Sequence, residues 1–145
     1  VTAPAPDDPQ AERLAAAEDE VLHEIGPRLA SWAAVEAFVD RVLAGHHWSD
    51  RFPTAPLEVQ LVRRSRSARS SYAVPATATV AIRDGHWYPL VVLHELAHLV
   101  TPTGPPHGPA FARNELELVR ATLGVVAAAT LERAFDRHHV TYLSP

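Results

Sequence analysis

Apolar residues recur at helical spacing in the first third of the chain, alternate briefly in the middle, and return to helical spacing in the last third. The series Ala11, Leu14, Ala15, Glu18, Val21, Leu22 and Ile25 predicts a first helix, and Gly26-Pro27 stops it. Ser31 is a natural N-cap for a second helix running to Leu43, with Trp32, Val35, Val39 and Val42 as its stripe. Residues 45–56 are polar and proline-containing, and read as a loop. The period then changes to two. Residues 57–62, Leu-Glu-Val-Gln-Leu-Val, read as a strand with one buried face.

A basic, serine-rich turn over 63–71 follows, then an extended segment over 72–82. Pro75 makes a central sheet position unsuitable for the start of that segment. Asp84-Gly85 marks a turn, and a helix is predicted from about Trp87 to Val100 with Pro89 in its first turn. A proline-rich loop over 101–108 leads to a helix from Pro109 to Leu123, closed by Gly124. A last helix over about 125–138 carries Ala127, Leu131, Ala134 and Phe135. Helices, a small sheet, then helices again define an α+β domain. Residues 1–9, rich in proline, are expected to form a flexible tail.

Composition narrows the chemistry. A 145-residue chain with 47% hydrophobic residues is the size of one domain with a real core. A net charge of −4 argues against whole-molecule nucleic-acid binding. The chain has no cysteine, so histidine and carboxylate are its strong zinc ligands. There is no run of 18 apolar residues, and the first residues lack the pattern of a signal peptide, which points to a cytoplasmic protein without a membrane span.

The stretch that carries chemistry is His94-Glu95-Leu96-Ala97-His98. On a helix, positions four apart share a face, so both imidazoles can reach one ion. Glu95 stands beside them, free to act as a general base toward water on that ion. Catalytic zinc usually takes three protein ligands. Eight residues after His98, His107 follows a loop in which Gly104 permits a reversal, and Gly108 permits close backbone approach. His107 is the preferred third ligand, with Glu115 or Glu117 of the next helix as carboxylate alternatives. Tyr72, Tyr88, His86 and Tyr142 are candidates for oxyanion stabilisation by residue type.

With its HELAH stretch, an eight-residue gap and His107-Gly108-Pro109-Ala110-Phe111, the chain resembles the actinobacterial HExxH-motif metallohydrolases over most of its length. It is similar, more distantly and around the motif only, to SprT-like and minimal zincin metalloproteases. The resemblance implies a compact zincin-like domain over residues 10–145, with a strand beside the active-site helix. It implies Zn2+ held by His94, His98 and His107, and Glu95 as catalytic base. The activity so implied is zinc-dependent hydrolysis, with a peptide or protein substrate the first expectation. A catalytically silent zincin-fold binding module with a structural or regulatory zinc, or a hydrolase of non-peptide amides or esters, would use the same residues.

Three further features invite function. Arg63, Arg64, Arg66 and Arg69 place four positive charges in seven residues; a solvated hairpin tip accounts for them better than a nucleic-acid contact, since no aromatic residues are interleaved. His46-His47 and His138-His139 are adjacent pairs whose rings diverge on a helix or strand, which disfavours a second metal site. Residues 76–79, Ala-Thr-Ala-Thr, offer an edge to which a peptide could add as a strand.

Overall fold

The computed structural model describes residues 7–145. It is an α+β fold of six helices and a three-stranded sheet: α1 (Ala11–Ile25), α2 (Trp32–Ala44), α3 (His46–Arg51), β1 (Gln60–Arg64), β2 (Tyr72–Val74), β3 (Thr79–Arg83), α4 (Pro89–Leu99), α5 (Pro109–Leu123) and α6 (Val125–Arg137). The first six residues of the expected tail lie outside the described residues. Asp7–Pro9 form part of a turn that leads into α1.

Helix α4 is the hub. It buries Leu90, Val92, Leu93, Leu96, Ala97 and Leu99 around most of its circumference, as a helix enclosed by neighbours must. It packs on β2 and β3, and against α1, α2 and α5. Its start is fixed by close packing with the end of α1: a Cβ on Gly26 would meet Pro89 Cγ at 2.9 Å. Ser31 caps α2 by accepting a hydrogen bond from Ala34 N at 3.1 Å. Helices α5 and α6 complete the layer, burying Phe111, Ala112, Leu116, Leu118 and Val119 from one and Leu131, Ala134 and Phe135 from the other.

The sheet corrects the expected hairpin. Its order is β1-β3-β2, with β1 parallel to β3 (Gln60 opposite Thr79) and β2 antiparallel to β3 (Tyr72 opposite Ala81). Residues 72–82 are therefore two strands. Pro75 ends β2 and opens a 3-10 turn over Pro75–Thr77, and Ala78 at φ 50° reverses the chain. Strand β3, buried from Thr79 to Ile82, then enters the centre of the sheet, and the 65–71 segment becomes a crossover. Strand β1 begins at Gln60, not Leu57, because its partner reaches only that far; Leu57 is left 79% exposed. The loop expected over 45–56 contains α3, whose Trp48 is buried and donates from its indole to Pro56 O at 2.9 Å. A single aromatic anchor makes a short helix out of a polar stretch.

Candidate metal centre

Two elements bring three imidazoles together. His94 and His98 project from consecutive turns of α4, and His107 returns from the loop that ends at α5. The loop is held at both ends. Thr101 Oγ1 donates to Ala97 O at 2.9 Å and accepts from Asn114 Nδ2 at 2.8 Å, tying the end of α4 to α5. Gly104 sits at φ 85°, the left-handed region that favours glycine. Gly108 lies so near Pro105 that a Cβ there would meet Pro105 Cβ at 3.0 Å. A ring nitrogen from each of the three histidines lies within 4.8 Å of those of the other two. The buried ring of Phe111 is the floor beneath them, its centroid 4.5 Å from His98, 5.0 Å from His94 and 5.2 Å from His107.

Carboxylates determine which nitrogens face inward. His94 Nδ1 is 2.6 Å from Glu18 Oε2, and His107 Nδ1 is 2.8 Å from Asp8 Oδ2. An ionised Asp8 carboxylate only accepts, so His107 Nδ1 carries the proton and its Nε2 presents a lone pair. The Nε2 atoms of His94 and His107 face each other at 3.3 Å. That separation suits an N–H···N hydrogen bond when one of the rings carries a proton on Nε2, and it equally suits two ligands of one cation. Tetrahedral zinc with Zn–N bonds of roughly 2.0–2.1 Å spaces its ligand nitrogens at ~3.3 Å. The donor set thus fits a tetrahedral cation. Histidines whose second nitrogen is tied to a carboxylate have the arrangement that orients metal ligands. Burial, reinforced by the other two histidines, holds His98 down to about 3, and burial also lowers His107 against the opposing pull of Asp8. His94 shifts the other way: burial works against its charge, but the carboxyl groups of Glu115 and Glu95 beside it raise it overall.

The carboxylate alternatives separate by geometry. Glu115 is fully buried, but it lies on the Nδ1 side of His94, at 3.5 Å, away from the three-histidine cluster. Among the described residues, neither of its oxygens has a hydrogen-bond partner. Burial, with Glu18 close by, holds its carboxyl far above the usual carboxylate range, and burial pushes Glu18 up to about 8. Glu117 points elsewhere and pairs with Arg51. Together Glu18, His94 and Glu115 form a second group with metal-capable spacing.

Glu95 is 6% exposed, and no hydrogen bond from the described residues occupies its carboxyl group. Burial raises its pKa, the direction a general base needs. It lines a cleft of about 410 Å³ together with His94, His98, His107, Tyr72 and Thr101. An adjoining lobe of about 240 Å³ shares Ser71, His94 and Glu95 and extends between Leu22, Leu90 and His86. Of the oxyanion candidates, Tyr72 lines the cleft and His86 the adjoining lobe. Tyr88 packs edge-on against His23, and the Tyr142 hydroxyl is bound to Glu132 and Asp136.

The remaining sequence features fall away from the centre. Residues 76–79 are not an edge: they span the 3-10 turn and the start of the central strand, and the edge beside the cleft is β2. Arg63 is a strand residue bridged to Asp84 at 2.9 Å, its guanidinium 5.2 Å from the Trp87 ring. Arg64 is bonded to Ser70 O and lies over Tyr72. Among the described residues, neither adjacent histidine pair joins a cluster that could hold a metal. No helix of the described residues is long and apolar enough to cross a membrane. Sequence reasoning missed Asp8, Glu18 and Phe111 as parts of the centre. No family model, no curated protein and no solved structure matches the chain.

Proposed function

We propose that this protein is a zinc-dependent hydrolase, and that its substrate is an extended peptide. The observation that carries the reading is the convergence of three imidazoles from two elements, a ring nitrogen of each within 4.8 Å of the others, beside the buried carboxyl group of Glu95. His94, His98 and His107 would hold the zinc, which when bound would supply a Lewis acid able to polarise a carbonyl and acidify water at neutral pH. Glu95 takes the proton of the attacking water and returns it to the leaving amine. Asp8 keeps His107 in the tautomer that presents Nε2, and Glu18, 2.6 Å from His94 Nδ1, orients the His94 ring. Glu115 sits behind His94, so the described residues leave room for water and substrate on the cleft side.

A peptide is favoured over other acyl substrates by the sheet. Strand β2 is paired on one side only, and its Tyr72 and Ala73 line the cleft, where an extended chain can add by main-chain hydrogen bonds. The decisive experiment titrates metal-stripped protein with Zn2+ and follows hydrolysis of a mixed peptide library. One equivalent bound, with cleavage abolished by Glu95→Gln while zinc is retained, is the expected result. No zinc uptake would end the metal reading. Uptake of zinc with no cleavage of any peptide would leave a binding module in place of an enzyme.

A further inference from the structure

The third histidine is held by parts of the chain that no motif marks. Asp8 takes both protons that His107 can offer it: the backbone amide donates to Oδ1 at 3.0 Å and ring Nδ1 to Oδ2 at 2.8 Å. Two residues on, Gln10 is only 3% exposed and its side-chain amide makes three hydrogen bonds. Its Nε2 donates to Thr141 O at 2.9 Å, while its Oε1 accepts from Thr141 N at 3.0 Å and from Thr141 Oγ1 at 2.9 Å. The same C-terminal segment also reaches the other half of the pair. Leu143 N donates to Pro109 O at 3.2 Å, two residues after His107, and Leu143 O accepts from Arg113 of α5. Val140 N anchors the segment to the end of α6 through Phe135 O at 2.9 Å.

The segment over 140–143 therefore acts as a spacer. Thr141 sets the position of Asp8 through Gln10, and Leu143 sets the position of His107 through the start of α5. Among the described residues, the side chain of Gln10 carries the hydrogen bonds that tie the residue 7–10 turn to this spacer. Three hydrogen bonds on one buried amide are more than a surface turn requires.

We propose that Asp8 and Gln10 are positioning residues for the metal centre, with the Gln10–Thr141 clamp holding the Asp8 carboxylate on His107 so that its Nε2 stays aimed at the ion. This rests on the zinc reading above. It adds that the affinity of the site is set in part by the two ends of the domain, more than a hundred residues apart in sequence.

The test measures the zinc Kd of the full chain by competition with a chromophoric chelator, for the wild type, Asp8→Ala, Gln10→Ala and the double variant. Removing a carboxylate behind a metal-bound histidine weakens binding roughly 10–100-fold, and that loss is expected for Asp8→Ala. Gln10→Ala is expected to weaken binding severalfold on its own and to add almost nothing in the Asp8→Ala background, because it acts through Asp8. The Co2+-substituted protein should show a changed visible spectrum in both single variants. A merely structural role for Gln10 would lower thermal stability and leave both the Kd and the spectrum unmoved. Should Gln10→Ala fail to fold, Thr141→Val removes one of the three bonds and is expected to move Kd in the same direction by a smaller factor. A Kd for Asp8→Ala within about twofold of the wild type would overturn the inference, as would full additivity of the two losses. Failure of the underlying zinc reading is distinct: the wild type itself would then take up no metal.

Discussion

Glu115 is a carboxyl group in a place where an apolar side chain would be more stable, and its removal should show as a gain. It is fully buried on the face of α5 that also carries Phe111 and Leu118. Among the described residues both its oxygens lack partners, and His94 Nδ1, at 3.5 Å, is committed to Glu18 at 2.6 Å. A buried polar group left unpaired costs about 1–3 kcal/mol. Methionine has nearly the same volume and adapts its shape, so Glu115→Met removes that cost without opening a cavity. The metal-free variant is expected to be more stable by about 1–3 kcal/mol, which for a domain of this size is a rise of roughly 3–10 °C in Tm. Urea unfolding followed by circular dichroism, with chelator present throughout, measures it. Glu115→Gln is the control: an amide of the same shape stays polar and buried, and should leave stability nearly unchanged. The expected counterpart is weaker zinc binding by Glu115→Met, since the group behind His94 and Glu18 is gone. Loss of 1 kcal/mol or more in the metal-free form of Glu115→Met would show that the carboxyl is well satisfied, and would refute the view that it is held at a cost in stability.

Three other outcomes are expected. His107→Ala should raise the zinc Kd more than Glu115→Ala does, measured by chelator competition; the reverse order would hand the third position to the carboxylate. Gly26→Ala should destabilise the fold by about 1–3 kcal/mol in urea unfolding, because the added methyl group meets the rigid Pro89 ring at 2.9 Å and two helices must shift apart. Tyr72 lines the cleft, and in the role of oxyanion donor its hydroxyl makes Tyr72→Phe lower kcat on peptides with zinc binding unchanged; unchanged kcat would remove it from that role.

How legible these features were in the sequence follows from the range of the interaction each depends on. Helices were legible because caps and apolar spacing are local: Ser31 does cap α2, Pro89 does open α4, and Gly124 does close α5. The sheet was not, because the pairing of β1 with β3 is a choice between partners that both alternate in the same way. Only Pro75 hinted that residues 72–82 must break. Helix α3 depends on where Trp48 finds its cover, which no local pattern states. Within the site, the i, i+4 spacing placed His94 and His98 together, and the two glycines of the following loop made the return of His107 readable.

The parts that were harder to read carry a lesson about charged residues in apolar series. Glu18 falls in the helical series of α1, and Glu115 lies four residues after Phe111 and three before Leu118 on the inward face of α5. Glu117 is only two positions from Glu115, yet 200° around the helix from it, which is why one is sealed beneath His94 and the other pairs with Arg51. A carboxylate at a core position needs a partner, and the nearest titratable residues that a helical packing can supply are the histidines of the motif. That argument could have found Glu18 from the sequence. Asp8 had no such signal: it lies before the first periodic residue, and its two bonds to His107 join positions far apart in the sequence. The residues that bind a metal can announce themselves by spacing, whereas those that aim the ligands are specified by the tertiary fold.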